Sequence, residues 1–351
     1  MKPIILFAEC GTGQYDYELA RAVKQEGLMI GGGVYKQSIK VDRSVVKVLA
    51  QDSGGFQMTS KKKIAGQNVF ANEKAWMDRK LEGYEYNNVD FGIILDHPLV
   101  GEGAEPFSKA LRATIRNTKY MEEHRSGHYK LYHVLKGIEL YPRYKSNIKL
   151  KEWKNTLIKE IGEGDGYAVS YPVLAKLKRN NYTALLDYLP YIYEAISDLD
   201  KKPLHMFAAT GRLDYLALSI LSKKWKNIIT LDSSSVFQMV GRRKWLVKES
   251  ENIYTMKDWN GEHCSCPICK FDERLYGWHL IYDEAKNRYM VPVPMQRHLS
   301  YHNINLHQEM LYKIWKAVLD ENWEVIAEIT KKDLAYIEAK AKLILDKLDS
   351  M

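Results

Sequence analysis

The sequence predicts an α/β fold built as a parallel (β/α)8 barrel. Two observations carry that expectation. Eight short apolar runs recur along the chain, each closed by glycine, proline or polar residues and followed by a longer helical or mixed segment; alternating strands and helices build a parallel sheet. Residue types able to do chemistry stand just after several of those runs, where a barrel of this kind carries its site. An open, doubly wound sheet is the alternative arrangement of the same alternation.

The runs are Pro3–Ala8, Leu28–Tyr35, Val45–Ala50, Phe91–Leu95, Lys130–Leu135, Gly166–Ser170, Leu204–Ala209 and Ile228–Leu231. Val45–Ala50 is apolar and rich in β-branched residues, the pattern of a buried strand. Between the runs, Tyr15–Glu26, Asn72–Leu81, Phe107–His124, Lys151–Ile161, Tyr182–Leu199 and Leu213–Lys224 read as helices. Beyond the eighth run, Leu306–Glu321 and Lys331–Leu348 read as two more, the latter with Leu334, Ile337, Ala341, Leu345 and Leu348 at helical spacing. The expected division is a catalytic barrel over residues 1–248 and a smaller C-terminal unit over 249–351. The chain carries no internal repeat beyond the βα alternation and no low-complexity segment.

With 351 residues, 46% of them hydrophobic, the chain can bury a large core. Its 52 Lys and Arg outnumber 44 Asp and Glu, for a net charge of +8, a mild basic excess that suits a polyanionic partner. The cysteines are Cys10, Cys264, Cys266 and Cys269. Three within six residues argue against a disulfide scaffold and for a reducing compartment. Met1-Lys2-Pro3 and a short apolar run lead at once into Glu9 and glycines, which is not a signal peptide. No apolar stretch reaches the ~18 residues of a membrane span. The expectation is a soluble, cytoplasmic protein with no membrane partner.

The third run leads into Gln51-Asp52-Ser53-Gly54-Gly55-Phe56-Gln57. A carboxylate sits where the strand should end, two glycines let the backbone approach a flat ligand closely, and Phe56 offers an aromatic face. Other runs are followed by Asp96-His97-Pro98, Lys136-Gly137, Ser170-Tyr171-Pro172, Thr210-Gly211 and Asp232-Ser233-Ser234. Three aspartates on strand ends of one barrel converge on one mouth, and crowding of like charges raises the pKa of at least one. Lys61-Lys62-Lys63, the stretch from Tyr141 to Lys154 (Tyr141, Arg143, Tyr144, Lys145, Lys149, Lys151, Trp153, Lys154) and Arg242-Arg243-Lys244-Trp245 are basic, the last two interleaved with aromatic rings. That mixture suits phosphate contacts and base stacking.

Cys264-Ser265-Cys266-Pro267-Ile268-Cys269 has C-x-C-x-x-C spacing. Three thiolates this close can face one soft cation, and zinc then takes a fourth N or S ligand. His279, His298, His302 and His307 are the downstream candidates. Four protein ligands make such a zinc structural. It would form a C-terminal zinc-binding subdomain that staples the segment after the eighth strand to the last helices.

Taken together, Asp52-Ser-Gly-Gly-Phe-Gln57, Asp165-Gly-Tyr-Ala-Val169 and the cysteine motif resemble the guanine transglycosylase family (tRNA-guanine transglycosylase-like). Its members exchange guanine in a nucleic acid for a 7-deazaguanine. The resemblance implies that Asp232 is the nucleophile, Asp52 the general acid/base and Asp96 the residue that reads the pyrimidine edge of the base. It also implies that Ser53, Gly54, Gly55, Phe56, Lys136, Gly137, Ser170 and Tyr171 line the base site. Lys136-Gly137 stands where the family has Gln-Gly, and Ser170 and Tyr171 where it has glycine and backbone contacts to the base. The family completes Cys264, Cys266 and Cys269 with a histidine in a His-Asn context, which selects His302 beside Asn303, with His298 as second choice.

Two departures bear on the acceptor. The N-terminus reaches Asp52 sooner than in tRNA-acting members. The family's Arg-bearing tRNA loop after the nucleophile is replaced by Ser233-Ser234-Ser235-Val236-Phe237-Gln238-Met239-Val240, keeping only Gly241-Arg242, and no RNA-binding domain is appended. The chain is therefore most similar to the compact phage and bacterial DNA-guanine transglycosylases. The expected partners are DNA ahead of tRNA, held by Arg242, Arg243 and Lys244, and a 7-deazaguanine such as 7-cyano-7-deazaguanine. For a phage-encoded protein the location is the host cytoplasm. A tRNA-acting enzyme is the alternative, and a non-catalytic nucleic-acid-binding subunit is disfavoured because Asp52 and Asp232 are both present. An unrelated zinc hydrolase would need an open metal site with His or carboxylate ligands. The sequence leaves the oligomeric state open.

Overall fold

Strand β1 (Ile4–Cys10) pairs on one side with β2 (Gly27–Ile30) and on the other with β8 (Ile229–Asp232), and that double pairing closes the sheet. Between them run β3 (Val48–Gln51), β4 (Phe91–Ile93), β5 (Lys130–Leu135), β6 (Gly166–Ser170) and β7 (Leu204–Phe207), each parallel to its neighbours and in sequence order. The result is a closed eight-stranded parallel barrel, which rules out the open sheet. Each apolar run of the sequence supplies one strand. The computed structural model describes residues 4–10, 14–31, 41, 43–44, 46–54, 72–99, 104–140, 146–170, 185–207, 209, 211–232, 244–246, 253–255, 266–268, 281–283, 288–290 and 293–350.

Aromatic rings fill the barrel. Phe7 on β1 lies 5.9 Å from Phe91 on β4 and 5.8 Å from His205 on β7, while Phe91 stacks on Tyr132 of β5 at 3.9 Å. Contacts between strands that are not neighbours must cross the interior. Small residues make the room: a Cβ on Gly27 would lie 2.1 Å from the Phe7 ring, and one on Gly166 2.5 Å from that of Tyr132. Each such large side chain withdrawn from water contributes roughly 1.5–3 kcal/mol.

Helices α1 (Gln14–Ala22), α2 (Glu73–Tyr86), α3 (Phe107–His124), α4 (Ile148–Ile161), α5 (Leu185–Ile196) and α6 (Arg212–Ser222) follow β1, β3, β4, β5, β6 and β7. Helix α2 starts where the Asn72 side chain accepts the Ala75 N–H at 3.1 Å, a side-chain cap. It runs past the expected end at Leu81 because Gly83 and Tyr84 are buried too; the Tyr84 hydroxyl donates to the Ile93 carbonyl at 2.7 Å and ties the helix to β4.

Three helices close the chain: α7 (Val293–Leu319), α8 (Trp323–Thr330) and α9 (Leu334–Asp349). Helix α7 packs against α6, α1 and β1. It begins at Val293, not Leu306, so His302 and Asn303 lie inside a helix rather than ahead of one. Its early turns bury His298, Ser300, His302, Asn303 and Asn305, and those polar side chains break the apolar period that would have marked it. Pro294 sits in the first turn, where a missing N–H costs nothing. Two short antiparallel ribbons, β9 (Lys244–Leu246) with β10 (Ile253–Thr255) and β11 (Ile281–Asp283) with β12 (Arg288–Met290), lie outside the barrel sheet. No helix among the described residues is long and apolar enough to cross a membrane.

Candidate active site

The β3 ladder continues one residue beyond the strand, the Asp52 N–H donating to the Ile30 carbonyl at 2.9 Å. Helix α2 then fastens the strand end from outside. Its Trp76 indole donates to the Ser53 carbonyl at 2.9 Å, and one turn later the Lys80 ammonium donates to the Asp52 carbonyl at 3.0 Å. Lys80 is only 2% exposed and lies over the Trp76 ring at 5.3 Å. Gly54 takes φ +85°, a conformation that glycine adopts without strain, and its N–H bonds the Asp52 carboxylate.

Asp96 follows β4 by three residues and forms an ion pair with Lys136, the first residue after β5. The same ammonium donates to the His97 carbonyl at 3.0 Å. His97 is buried between two carboxylates, its Nε2 3.2 Å from Glu73 and its Nδ1 3.2 Å from Glu105. Its backbone N–H donates to the Thr114 hydroxyl at 3.1 Å. The hydrogen bond to His97, with help from Arg116, holds the Glu73 carboxyl down at about 2. Asp232 is the last residue of β8, and the Nε2 of fully buried His205 lies 3.5 Å from its Oδ1.

The three aspartates feel one another. Asp52 is pushed up from 3.8 to about 6, chiefly by burial; Lys80 opposes the rise, and the charges of Asp232 and Asp96 add to it. Crowding was the expected cause, yet loss of water is the larger one. Burial pushes Lys80 down to about 8, with Asp52 resisting. Each carboxylate has its own basic neighbour: Lys80 for Asp52, Lys136 for Asp96 and His205 for Asp232. The sequence reading missed Lys80 and His205. A lysine one turn after a tryptophan in a helix, and a histidine inside the apolar run Leu204–Ala209, were the available signals.

Other expected residues divide. Ser53 and Gly54 are buried beside Asp52. Gly137 has φ +119°, and a Cβ there would meet the Lys149 carbonyl carbon at 2.5 Å, so the approach of α4 alone demands glycine. Ser170 ends β6, while Gly55, Phe56 and Tyr171 lie outside the described residues, as do Arg242, Arg243, Lys61-Lys62-Lys63 and Tyr141–Lys145. Lys244 opens β9. Asp165 is a strut at the opposite end of the barrel, paired with Arg125 and accepting the Leu131 N–H at 3.2 Å.

The second half of the basic stretch does not form the expected phosphate surface. Lys149 pairs with Glu152 at 2.7 Å, Lys151 with Glu194 at 2.5 Å and Lys154 with Asp198 at 2.7 Å. Trp153 is fully buried and donates to the Val134 carbonyl at 2.9 Å. Helical periodicity turns these side chains inward or onto acidic neighbours.

Cys264 and Cys269 lie outside the described residues. Cys266 and His302 are both fully buried, and Sγ lies 3.2 Å from Nδ1. His298, one turn earlier on α7, is buried as well. A soft thiol beside an imidazole fits half of a tetrahedral donor set of three sulfurs and one nitrogen, although no group of three His, Cys, Asp or Glu able to hold a metal occurs among the described residues.

The mouth thus unites a carboxyl able to exchange protons near neutrality with two further carboxylates, the division of labour that a nucleophile and an acid/base require. Among known proteins, no family model matches the chain and no curated sequence matches it.

Proposed function

We propose that the chain is a guanine transglycosylase, a pentosyltransferase that replaces guanine in DNA by a 7-deazaguanine. The observation that carries this reading is the grouping of Asp52, Asp96 and Asp232 at the C-terminal mouth of the barrel, with Asp52 raised to about 6. In this reading an Asp232 carboxylate oxygen attacks the anomeric carbon as the glycosidic bond breaks, leaving a covalent glycosyl-enzyme. Asp52 gives its proton to the departing guanine and takes one from the incoming base. With a pKa near 6, about a tenth of Asp52 is protonated at pH 7, so both roles are accessible. Asp96, with Lys136 against it, reads the base edge, and the resemblance would add Ser53, Gly54, Gly55, Phe56, Gly137, Ser170 and Tyr171 to the base site. The nucleotide must leave its stack to reach a barrel mouth.

Cys264, Cys266, Cys269 and His302 would hold a structural zinc that fastens the chain after the barrel to α7. His302 is chosen over His298 because Cys266 touches it. DNA is favoured over tRNA because the segment 233–240 lacks the family's arginine-bearing loop, and Arg242, Arg243 and Lys244 would meet phosphates. Such binding weakens steeply with salt.

The test is exchange of labelled guanine into a DNA duplex, a single DNA strand and a tRNA of matched guanine content. Incorporation into DNA is expected, with complete loss in Asp232→Asn protein that remains folded by circular dichroism. Incorporation into tRNA alone would return the chain to the tRNA branch, and a wild-type rate in the Asp232→Asn variant would remove that residue from the mechanism.

A further inference from the structure

We infer that His205 is a positioning residue for Asp232, fixing how its carboxylate is presented; this rests on the reading of Asp232 as nucleophile. Two of the mouth's carboxylates have lysine partners, on α2 and just past β5. The third has an imidazole, delivered from inside the barrel by the neighbouring strand β7.

The contacts around the ring bear on where its proton sits. Thr230 Oγ1 lies 3.3 Å from the Leu204 carbonyl and 2.9 Å from His205 Nδ1, and its single proton can turn to either. With the hydroxyl turned to the ring, Nδ1 accepts and the ring proton is carried by Nε2. Nε2 points to Asp232 Oδ1 at 3.5 Å. Nε2 is buried and has no hydrogen-bond partner among the described residues. Two lone pairs facing each other in a dry site repel, so the stable arrangement places a proton between Nε2 and Oδ1. Thr230, His205 and Asp232 form one chain of contacts anchored on the β7 backbone.

The ring cannot swing away. Phe7 stacks on it at 5.8 Å, Phe207 meets it edge-on at 4.8 Å, and Phe91 lies 6.1 Å off. A donor held this rigidly keeps Oδ1 in place and so sets how the carboxylate faces the anomeric carbon. When the incoming base displaces the ester, the electron pair of its carbon–oxygen bond returns to Asp232, and the N–H at Oδ1 stabilises the returning charge. Preorganised donors of this kind are worth about 100- to 1,000-fold in rate.

Because the surroundings are aromatic, His205→Phe preserves packing and removes the donor, whereas His205→Gln offers an amide N–H in place of Nε2. The expected result for His205→Phe is a fall in kcat of about 100-fold with KM for the base changed by less than about threefold, as expected when a group acts on the reaction and not on binding. His205→Gln should recover most of the loss, and Thr230→Val, which frees the ring tautomer, should fall between them. Activity of His205→Phe within threefold of wild type, or equal losses in the Phe and Gln variants, would overturn the assignment. The pairing is also read without activity: 15N NMR of histidine-labelled protein should show the His205 proton on Nε2 and the Nε2 signal shifting in Asp232→Asn. An unmoved Nε2 overturns the pairing. Wild-type protein that exchanges no base but shows the shift fails the transglycosylase reading alone and leaves Asp232 and His205 as a coupled pair.

Discussion

Replacing Asp52 by asparagine should abolish proton transfer and stabilise the protein at the same time. The carboxyl's rise from 3.8 to about 6 means that the folded state binds its proton more tightly than the unfolded chain does. The sign follows from linkage: stability falls as pH climbs from 3.8 through 6, because the folded state must carry a charge that burial penalises. At pH 7 the penalty is up to about 3 kcal/mol, and at pH 4.5 it shrinks to about 1 kcal/mol. Asparagine keeps the shape and still accepts the Gly54 N–H, but never ionises. Urea unfolding of both proteins should show Asp52→Asn more stable by about 2–3 kcal/mol at pH 7 and by about 1 kcal/mol or less at pH 4.5. A variant less stable than wild type at pH 7, or a gain equal at the two pH values, would refute the claim that burial raises this carboxyl.

Removing the Lys80 charge as Lys80→Met should push Asp52 further up, by about 1–3 pH units, the usual effect of losing a close opposite charge; carboxyl-carbon NMR titration reads it, and an unchanged Asp52 would separate the two groups. Gly137→Ala should cost about 2–4 kcal/mol in chemical denaturation, since φ +119° and a 2.5 Å approach to the Lys149 backbone both resist a side chain; a loss under 1 kcal/mol would mean that α4 yields easily. One zinc per chain is expected by elemental analysis, lost in Cys266→Ser together with a fall in melting temperature; metal-free wild-type protein would overturn the zinc reading.

The barrel was legible because its strands are short apolar runs that satisfy one rule, and all eight runs supply a strand. The C-terminal helices were less so. Half of α7 hides behind buried His298, Ser300, His302, Asn303 and Asn305, where hydrogen bonding and not apolar periodicity makes burial tolerable. Helix α8, at eight residues, is too short for a periodic pattern to declare itself. The basic stretch within α4 misled for the opposite reason: composition signals charge, but only tertiary placement reveals that Lys149, Lys151 and Lys154 already face Glu152, Glu194 and Asp198.

The mouth divides along the same line. Aspartates at strand ends are readable because barrel geometry sends every strand end to one rim, and Asp52, Asp96 and Asp232 follow that geometry. Their basic partners obey no such rule. Lys80 comes from the outer layer, reaching in past Trp76; Lys136 comes from the next strand; His205 comes from the barrel interior. Three negative charges crowded in one mouth would repel, and each would drift toward neutrality. A separate partner for each breaks the symmetry. Asp96 pairs with the Lys136 ammonium, and Asp52, whose partner Lys80 is itself weakened by burial to about 8, is the group that rises to about 6. The proposed assignment of roles among three identical side chains therefore rests on neighbours on other elements. For that reason it could be expected from the sequence only through resemblance, and it acquires a physical cause only once helix, strand and interior are seen together.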